Sequence, residues 1–262
     1  MTAVVMVHGA FCGGWAFEHF RQPFEAAGFE VLAPDLRGHG AEAPAGAVVG
    51  VSMADYAADI ARLCEDQASP PVLLGHSMGG LAAQLAARRA KVRALVLLAP
   101  SPPWGVAASS LEEAATAFGV QMLGPFSSGV LQPDKGLMRA YSLDRMPKAE
   151  REAAVARLRP ESAQAVRETL NWWLDPFMTT SVGPGAIAAP SLVISGEGDV
   201  VHSPATARAV AERIGAAFRT MPGMSHWLVG EPGWEIVAGK VLTWLNETGL
   251  PLGRPESSQG VA

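Results

Sequence analysis

A serine at position 77 sits in the pentapeptide Gly75-His76-Ser77-Met78-Gly79, which has the Gly-x-Ser-x-Gly spacing of a nucleophile elbow. Its flanks give that spacing meaning. Val72-Leu73-Leu74 precedes it as an apolar strand, and the Ala-rich run from Leu81 to Ala90 follows it as a helix. A serine between strand and helix is held at the tip of a tight, strained turn, where approaching backbones demand glycine before and after it. A helix beginning at that serine also aims its first N–H groups at charge developing on an attacked carbonyl. A purely structural glycine turn would account for the glycines but not for the serine. The chemistry indicated is nucleophilic attack by Ser77.

A serine hydroxyl at neutral pH needs a base to take its proton, and the base needs a carboxylate to orient it. Six histidines are available: His8, His19, His39, His76, His202 and His226. His19 falls in a predicted helix, and His76 adjoins the serine on a sharp turn that points neighbouring side chains apart. His226 follows the last predicted strand, in the loop Gly223-Met224-Ser225-His226. Glu197 and Asp199 share the loop after another apolar strand, and spacing alone leaves both as candidates for the acid. The stretch from Ala99 to Leu111, after the strand before that, holds no carboxylate. Cys12 is a rival nucleophile with no implied base and reads as an inert small thiol. No histidine pair has zinc-ligand spacing, and Gly9-x-x-x-Gly13-Gly14 lacks the lysine of a phosphate loop, so neither a metal nor a cofactor is expected.

These residues need a frame, and the pattern along the chain supplies one. Short, mostly apolar strand-like runs at Val4–Val7, Phe29–Ala33, Val72–Leu74, Val92–Ala99 and Ser191–Ser195, with a more polar one at Phe218–Met221, alternate with helical stretches such as Glu18–Ala27, Asp55–Gln67 and Leu81–Ala90. In Asp55–Gln67 the apolar positions are Ala58, Ala61, Leu63 and Cys64. Continuous apolar strands separated by helices predict an α/β fold, with a parallel sheet covered on both faces and doubly wound by right-handed crossovers. The interval from Ser101 to Ala189 breaks the rhythm: it has no convincing strand, only helical stretches at Leu111–Leu123, Lys148–Leu158 and Glu161–Leu174. The expected organisation is a core of residues 1–100 and 190–248, a helical cap of residues 101–189, and a disordered Pro-, Gly- and Ser-rich tail of residues 249–262.

Composition bounds the function. The 262 residues are 49% hydrophobic and 17% charged, with a net charge of −5 and no long basic run. That excludes the clustered positive face of a nucleic-acid binder. Two cysteines make no disulfide framework, no apolar segment reaches the ~18 residues of a membrane span, and the first residues lack a basic leader. A reduced, cytoplasmic protein is expected.

Several of these segments together resemble the α/β-hydrolases: His8-Gly9-Ala10 after the first strand, Asp35-Leu36-Arg37-Gly38-His39-Gly40 after the second and Gly-His-Ser-Met-Gly-Gly after the third. Gly196-Glu197-Gly198-Asp199 and Ser225-His226 continue the likeness, which covers nearly the whole chain and is least diagnostic in the cap. His8 to Trp15 is particularly similar to the plant methylesterase and hydroxynitrile lyase branch. Family members usually begin with an antiparallel strand pair, whereas this chain starts at their third strand, so the resemblance implies six parallel strands. It also implies the triad order Ser77, Asp199, His226, an oxyanion hole of Ala10 and Met78 N–H groups, and structural hydrogen bonding for His8, His39 and His76.

The expected activity is cofactor-free hydrolysis of small to medium apolar carboxylic esters through an acyl-enzyme. Lactonase, thioesterase, perhydrolase and carbon–carbon hydrolase activities on the same fold are the alternatives, and a non-turnover ligand receptor is the alternative of another class. Ser77 argues against the aspartate nucleophiles of epoxide hydrolases and haloalkane dehalogenases. Trp227 stands where hydroxynitrile lyases carry a lysine. The pocket residues expected are Phe11, Met122, Phe126, Trp172, Trp173 and Trp227, although Met and Trp at helical spacing are equally suited to a cap core.

Overall fold

Alternation of buried side chains along the strands divides the molecule into layers. Val4 and Met6 of strand β1 (Thr2–Val7) join one apolar cluster, and Val5 and Val7 join another on the opposite face. The same split recurs along β3 (Val72–His76) and β4 (Ala94–Leu98), which is why their central residues are apolar on both faces, whereas the edge strand β2 (Phe29–Leu32) buries Phe29 and Val31 and exposes Glu30. The structure is a computed structural model and describes residues 1–44, 46–110, 114–115, 118 and 129–249.

The main sheet has six strands in the order β2-β1-β3-β4-β7-β8, where β7 is Ser191–Gly196 and β8 is Ala217–Met221. Every neighbouring pair is parallel. Helices α1 (Glu18–Ala26) and α7 (Trp234–Glu247) cover one face, burying Phe20, Phe24, Val237 and Val241. Each such phenylalanine contributes about 1.5–3 kcal/mol. Helices α2 (Met53–Glu65), α3 (Met78–Ala87) and α6 (Pro204–Ile214) cover the other. Among the described residues no helix is long and apolar enough to cross a membrane.

Helix starts and faces differ from the sequence expectation for local reasons. Helix α2 begins at Met53 because Ser52 and Asp55 form a reciprocal capping box. Its buried face is Met53, Tyr56, Ala57, Ile60, Ala61 and Cys64, with Ala58 and Leu63 only half-buried. Helix α3 begins directly after Ser77, so Gly79 and Gly80 lie inside its first turn.

Between β4 and β7 the chain is not purely helical. Two-residue strands β5 (Val130–Leu131) and β6 (Glu161–Ser162) pair antiparallel, a correction to the strandless interval expected from sequence. Strands this short have no periodicity to detect. Around them lie a turn at Lys135–Leu137 that runs into a π-helical turn at Met138–Ser142, helix α4 (Lys148–Ala156), helix α5 (Ala163–Leu170) and a 3₁₀ turn at Trp172–Leu174. The helix expected at Leu111–Leu123 and the tail expected at 249–262 lie outside the described residues, apart from Ala114, Ala115, Phe118 and Gly249.

Strand order positions the site. The chain leaves β1 for β2 on one side and returns to β3 on the other, so the loops after β1 and β3 emerge side by side from paired ends (Val7 opposite Gly75). Open α/β sheets bind ligands in the crevice at such a switch point. The ends of β7 and β8 are likewise paired, Gly196 opposite Met221, so the Asp199 and His226 loops are neighbours.

Candidate active site

Ser77 stands at the junction of β3 and α3 with φ 52° and ψ −126°, a left-handed conformation that non-glycine residues seldom adopt. Its N–H donates to Leu98 O at 3.0 Å, and its carbonyl accepts from Gly80 N and Ser101 N. These bonds from β4 and α3 hold the strained turn. A Cβ on Gly79 would press into the carbonyl oxygens of Val7 and His8, and one on Gly9 would stand 3.0 Å from Ser77 Cβ. Both glycines are therefore needed for the β1 loop to lie against the serine.

Ser77 Oγ lies 3.0 Å from His226 Nε2, and His226 Nδ1 lies 2.9 Å from Asp199 Oδ2. Asp199 Oδ1 accepts from Val201 N at 2.8 Å and His202 N at 2.9 Å, so both carboxylate oxygens are engaged and the group is fixed against rotation. His226 and Asp199 are both buried. Glu197 is exposed, and among the described residues its carboxylate accepts only from Gly223 N, at 3.3 Å. The unbroken chain of hydrogen bonds thus runs Ser77–His226–Asp199, the arrangement in which a serine proton can pass to an oriented imidazole.

His8, His76 and His202 are tied into the frame, while His19 is exposed and stacks on Trp234. His8 Nε2 accepts from Leu36 N at 2.9 Å while Nδ1 donates to Gly9 O, and burial with His39 nearby lowers its pKa to about 4. His76 donates from Nε2 to His226 O at 2.9 Å, and burial beside His226 lowers its pKa to about 3. His76 is therefore a neutral brace for the backbone of His226. His202 bonds Ser101 Oγ at 2.8 Å, with its ring 5.5 Å from that of His226. Burial, then Glu161, raise the Cys12 thiol, which is thereby unsuited to attack.

Glu231 supports the His226 loop from behind. Its Oε1 accepts from Ser225 N at 2.6 Å, and burial raises its pKa to about 7. A carboxyl raised in the folded state stabilises the fold while protonated, and that contribution is lost as pH rises from the unfolded value through 7. Glu231→Gln keeps an acceptor for Ser225 N and cannot ionise. Between pH 5 and pH 8 its stability relative to wild type is expected to improve by about 2 kcal/mol, read from urea midpoints at the two pH values. A pH-independent difference would contradict this.

The cleft above Ser77 has a cavity volume of about 110 Å³. Ala10, Phe11, Met78 and Trp227 line it, together with Met138 and Tyr141 of the π-helical turn and Val166 and Leu170 of α5. Trp172 and Trp173 do not, which corrects the expectation for both. Trp172 packs edge-to-face on Trp104 with ring centres 5.3 Å apart, and Trp173 is 56% exposed. Both belong to a 3₁₀ turn beyond the end of α5. Met122 and Phe126 lie outside the described residues. Met138 and Tyr141 carry no distinguishing sequence signal, because a π-helical turn breaks the helical period, and Val166 and Leu170 on α5 read as ordinary apolar helix positions. His202 had one: it lies three residues after Asp199 in the same loop.

Met78 opens α3, where N–H groups have no intrahelical acceptor. In the β1 loop, Phe11 N–H donates to Glu161 Oε2 and Cys12 N–H to Gly9 O. Both Ala10 and Met78 border the cleft beside Ser77. Among the described residues no three or more His, Cys, Asp or Glu side chains are grouped to hold a metal ion.

Residues 4–238 match the model of the alpha/beta hydrolase family. The monoacylglycerol lipase of Mycolicibacterium smegmatis is 27% identical, over 92% of this chain and 87% of that protein. Salicylic acid-binding protein 2 of Nicotiana tabacum is 34% identical over 40% of this chain and 42% of that protein. The crystal structure of a methylesterase from Arabidopsis superposes with a TM-score of 0.73, covering 94% of this chain and 100% of that one at 18% identity, a likeness of fold. With a matching family model over most of its length and the six-stranded parallel sheet, the chain belongs to the alpha/beta hydrolase family.

Proposed function

We propose that this hydrolase cleaves small to medium apolar carboxylic esters through an acyl-enzyme. The observation that carries the reading is the hydrogen-bonded series Ser77–His226–Asp199 at the floor of an apolar cleft. Ser77 Oγ attacks the ester carbonyl as His226 Nε2 takes its proton, and the resulting oxyanion accepts from Ala10 and Met78 N–H. The tetrahedral intermediate collapses as the carbon–oxygen bond to the alcohol breaks and His226 returns the proton to the leaving oxygen. Water, deprotonated by His226, then attacks the acyl carbonyl, and the second intermediate collapses as the bond from the acyl carbon to Ser77 Oγ breaks and His226 returns the proton to Oγ, releasing the acid. Asp199 keeps the imidazole in the tautomer with Nδ1 protonated throughout. The named activities of a lipase and a methylesterase among the similar proteins support an ester substrate.

Residues 101–189 act in this reading as a cap that supplies the apolar wall. The test is a panel of p-nitrophenyl esters from acetate to palmitate, with lactones and thioesters beside them. Turnover of short and medium esters is expected, while tight binding of one ligand with negligible turnover across the panel would indicate a receptor. Within the same panel, Met138→Ala and Leu170→Ala are expected to shift the ratio of kcat/KM between short and medium chains by about 10-fold or more. Trp173→Ala should leave that ratio unchanged. A shift in Trp173→Ala with none in the other two would move the acyl wall to the 3₁₀ turn.

A further inference from the structure

Glu161 is a carboxylate with no exposed surface, carried by β6 far from Ser77 in sequence. Withdrawing such a group from water is costly unless donors surround it. Four do so here. Oε1 accepts from Tyr56 Oη at 2.6 Å and from its neighbour Ser162 N at 2.7 Å, and Oε2 accepts from His39 Nε2 at 3.0 Å and Phe11 N at 3.4 Å. Burial alone would push the carboxyl up, but the bonds from His39, then Tyr56, outweigh it and hold it below the usual range. His39 is held above its ordinary value, because its bond to Glu161 outweighs its own burial. The result is a buried ion pair.

Most of these donors serve to stabilise the carboxylate. Phe11 is different, because it belongs to the loop that carries Ala10. Phe11 adopts φ 64°, a conformation that persists in a non-glycine residue only where its surroundings impose it. The segment around β6 imposes it on three sides. Glu161 takes the Phe11 N–H, Arg159 N–H donates to Phe11 O at 2.8 Å, and the ring packs with Leu131, Ala163 and Val166. The peptide plane so clamped is the next along the chain from the one bearing Ala10 N–H.

We propose that Glu161 is a positioning residue for the reaction: through Phe11 it sets Ala10 N–H against the oxyanion and ties turnover to the seating of β6. This rests on the acyl-enzyme reading, in which Ala10 N–H is an oxyanion donor. Loss of a donor of this kind costs about 10²–10³ in rate, and a displaced donor less.

The test is Glu161→Gln, which keeps the shape but removes the charge and turns an amide NH₂ toward existing donors. Rates are expressed per active site titrated with a fluorophosphonate. A fall in kcat of about 10–100-fold is expected, with KM within about 3-fold of wild type. Inhibition by a trifluoromethyl ketone with the same acyl chain, which forms a tetrahedral oxyanion on the serine, should weaken by the same factor as kcat/KM. A lowered thermal midpoint with kcat and ketone affinity unchanged would reduce Glu161 to a fold-stabilising residue and overturn the proposal. If Glu161→Gln does not fold, Tyr56→Phe removes one donor and keeps the ring. Parallel losses of about 3–10-fold in kcat and ketone affinity are then expected, and unchanged values overturn the proposal. Wild-type protein that forms no ketone adduct at Ser77, judged by ¹⁹F NMR, would instead overturn the acyl-enzyme reading and the proposal with it.

Discussion

Ser77→Ala is expected to lower kcat on any ester this protein hydrolyses by about 10⁶-fold, as removal of a serine nucleophile does elsewhere. The substitution deletes only Oγ. Because serine and alanine share a Cβ, it adds no strain at φ 52° and leaves the bonds of the Ser77 backbone to Leu98, Gly80 and Ser101 in place. The fold and the affinity for a non-hydrolysable ester analogue should both be retained, so the loss falls on the chemical step. Residual hydrolysis above the rate in water should persist through Ala10 and Met78 N–H, which remain to receive the oxyanion. Initial rates on the preferred p-nitrophenyl ester, with circular dichroism to check the fold, measure this. A variant keeping more than about a hundredth of wild-type kcat would remove Ser77 from the role.

Asp199→Asn should lower kcat by up to about 10⁴-fold while leaving the fold intact. The wild-type carboxylate accepts from three N–H groups, those of His226, Val201 and His202. An asparagine has one oxygen to offer where two are used. If it is spent on the Val201 and His202 N–H groups, the amide NH₂ faces His226 Nδ1 and selects the tautomer with Nε2 protonated, which cannot accept the Ser77 proton. The exposed carboxylate of Glu197 is the internal control: Glu197→Gln should stay within a few-fold of wild type. The opposite ranking, measured on the same ester, would move the orienting acid two residues upstream.

Much of this site was legible in the sequence because its parts sit where regular elements end. Strands buried on both faces read as continuous apolar runs, and Ser77 and Asp199 each follow such a run, whereas His226 follows the edge strand β8, whose Arg219 and Thr220 are exposed. The elbow serine is marked further by glycines whose Cβ positions are filled by other backbone, as at Gly79. The apolar wall was not legible. Trp172 and Trp173 have the composition of a pocket but lie on a 3₁₀ turn outside the cleft lining, whereas Met138 and Tyr141 line the cleft from a π-helical turn whose period no sequence template follows. Glu161 was hidden for another reason. In the run Arg159-Pro160-Glu161-Ser162 it has the look of a solvated residue, and only the tertiary fold brings Tyr56, His39 and Phe11 to its oxygens.

Covalent acylation of Ser77 is open to direct observation. A p-nitrophenyl ester of the preferred chain length, mixed with enzyme and acid-quenched within the first turnover, should yield protein heavier by one acyl group. Proteolysis and mass spectrometry should place that group on the peptide containing Gly75-His76-Ser77-Met78-Gly79, with fragment ions assigning it to Ser77 and no adduct in Ser77→Ala. An acyl group found on Cys12 or another residue, or hydrolysis that proceeds at full rate with the Ser77→Ala protein, would contradict the acyl-enzyme.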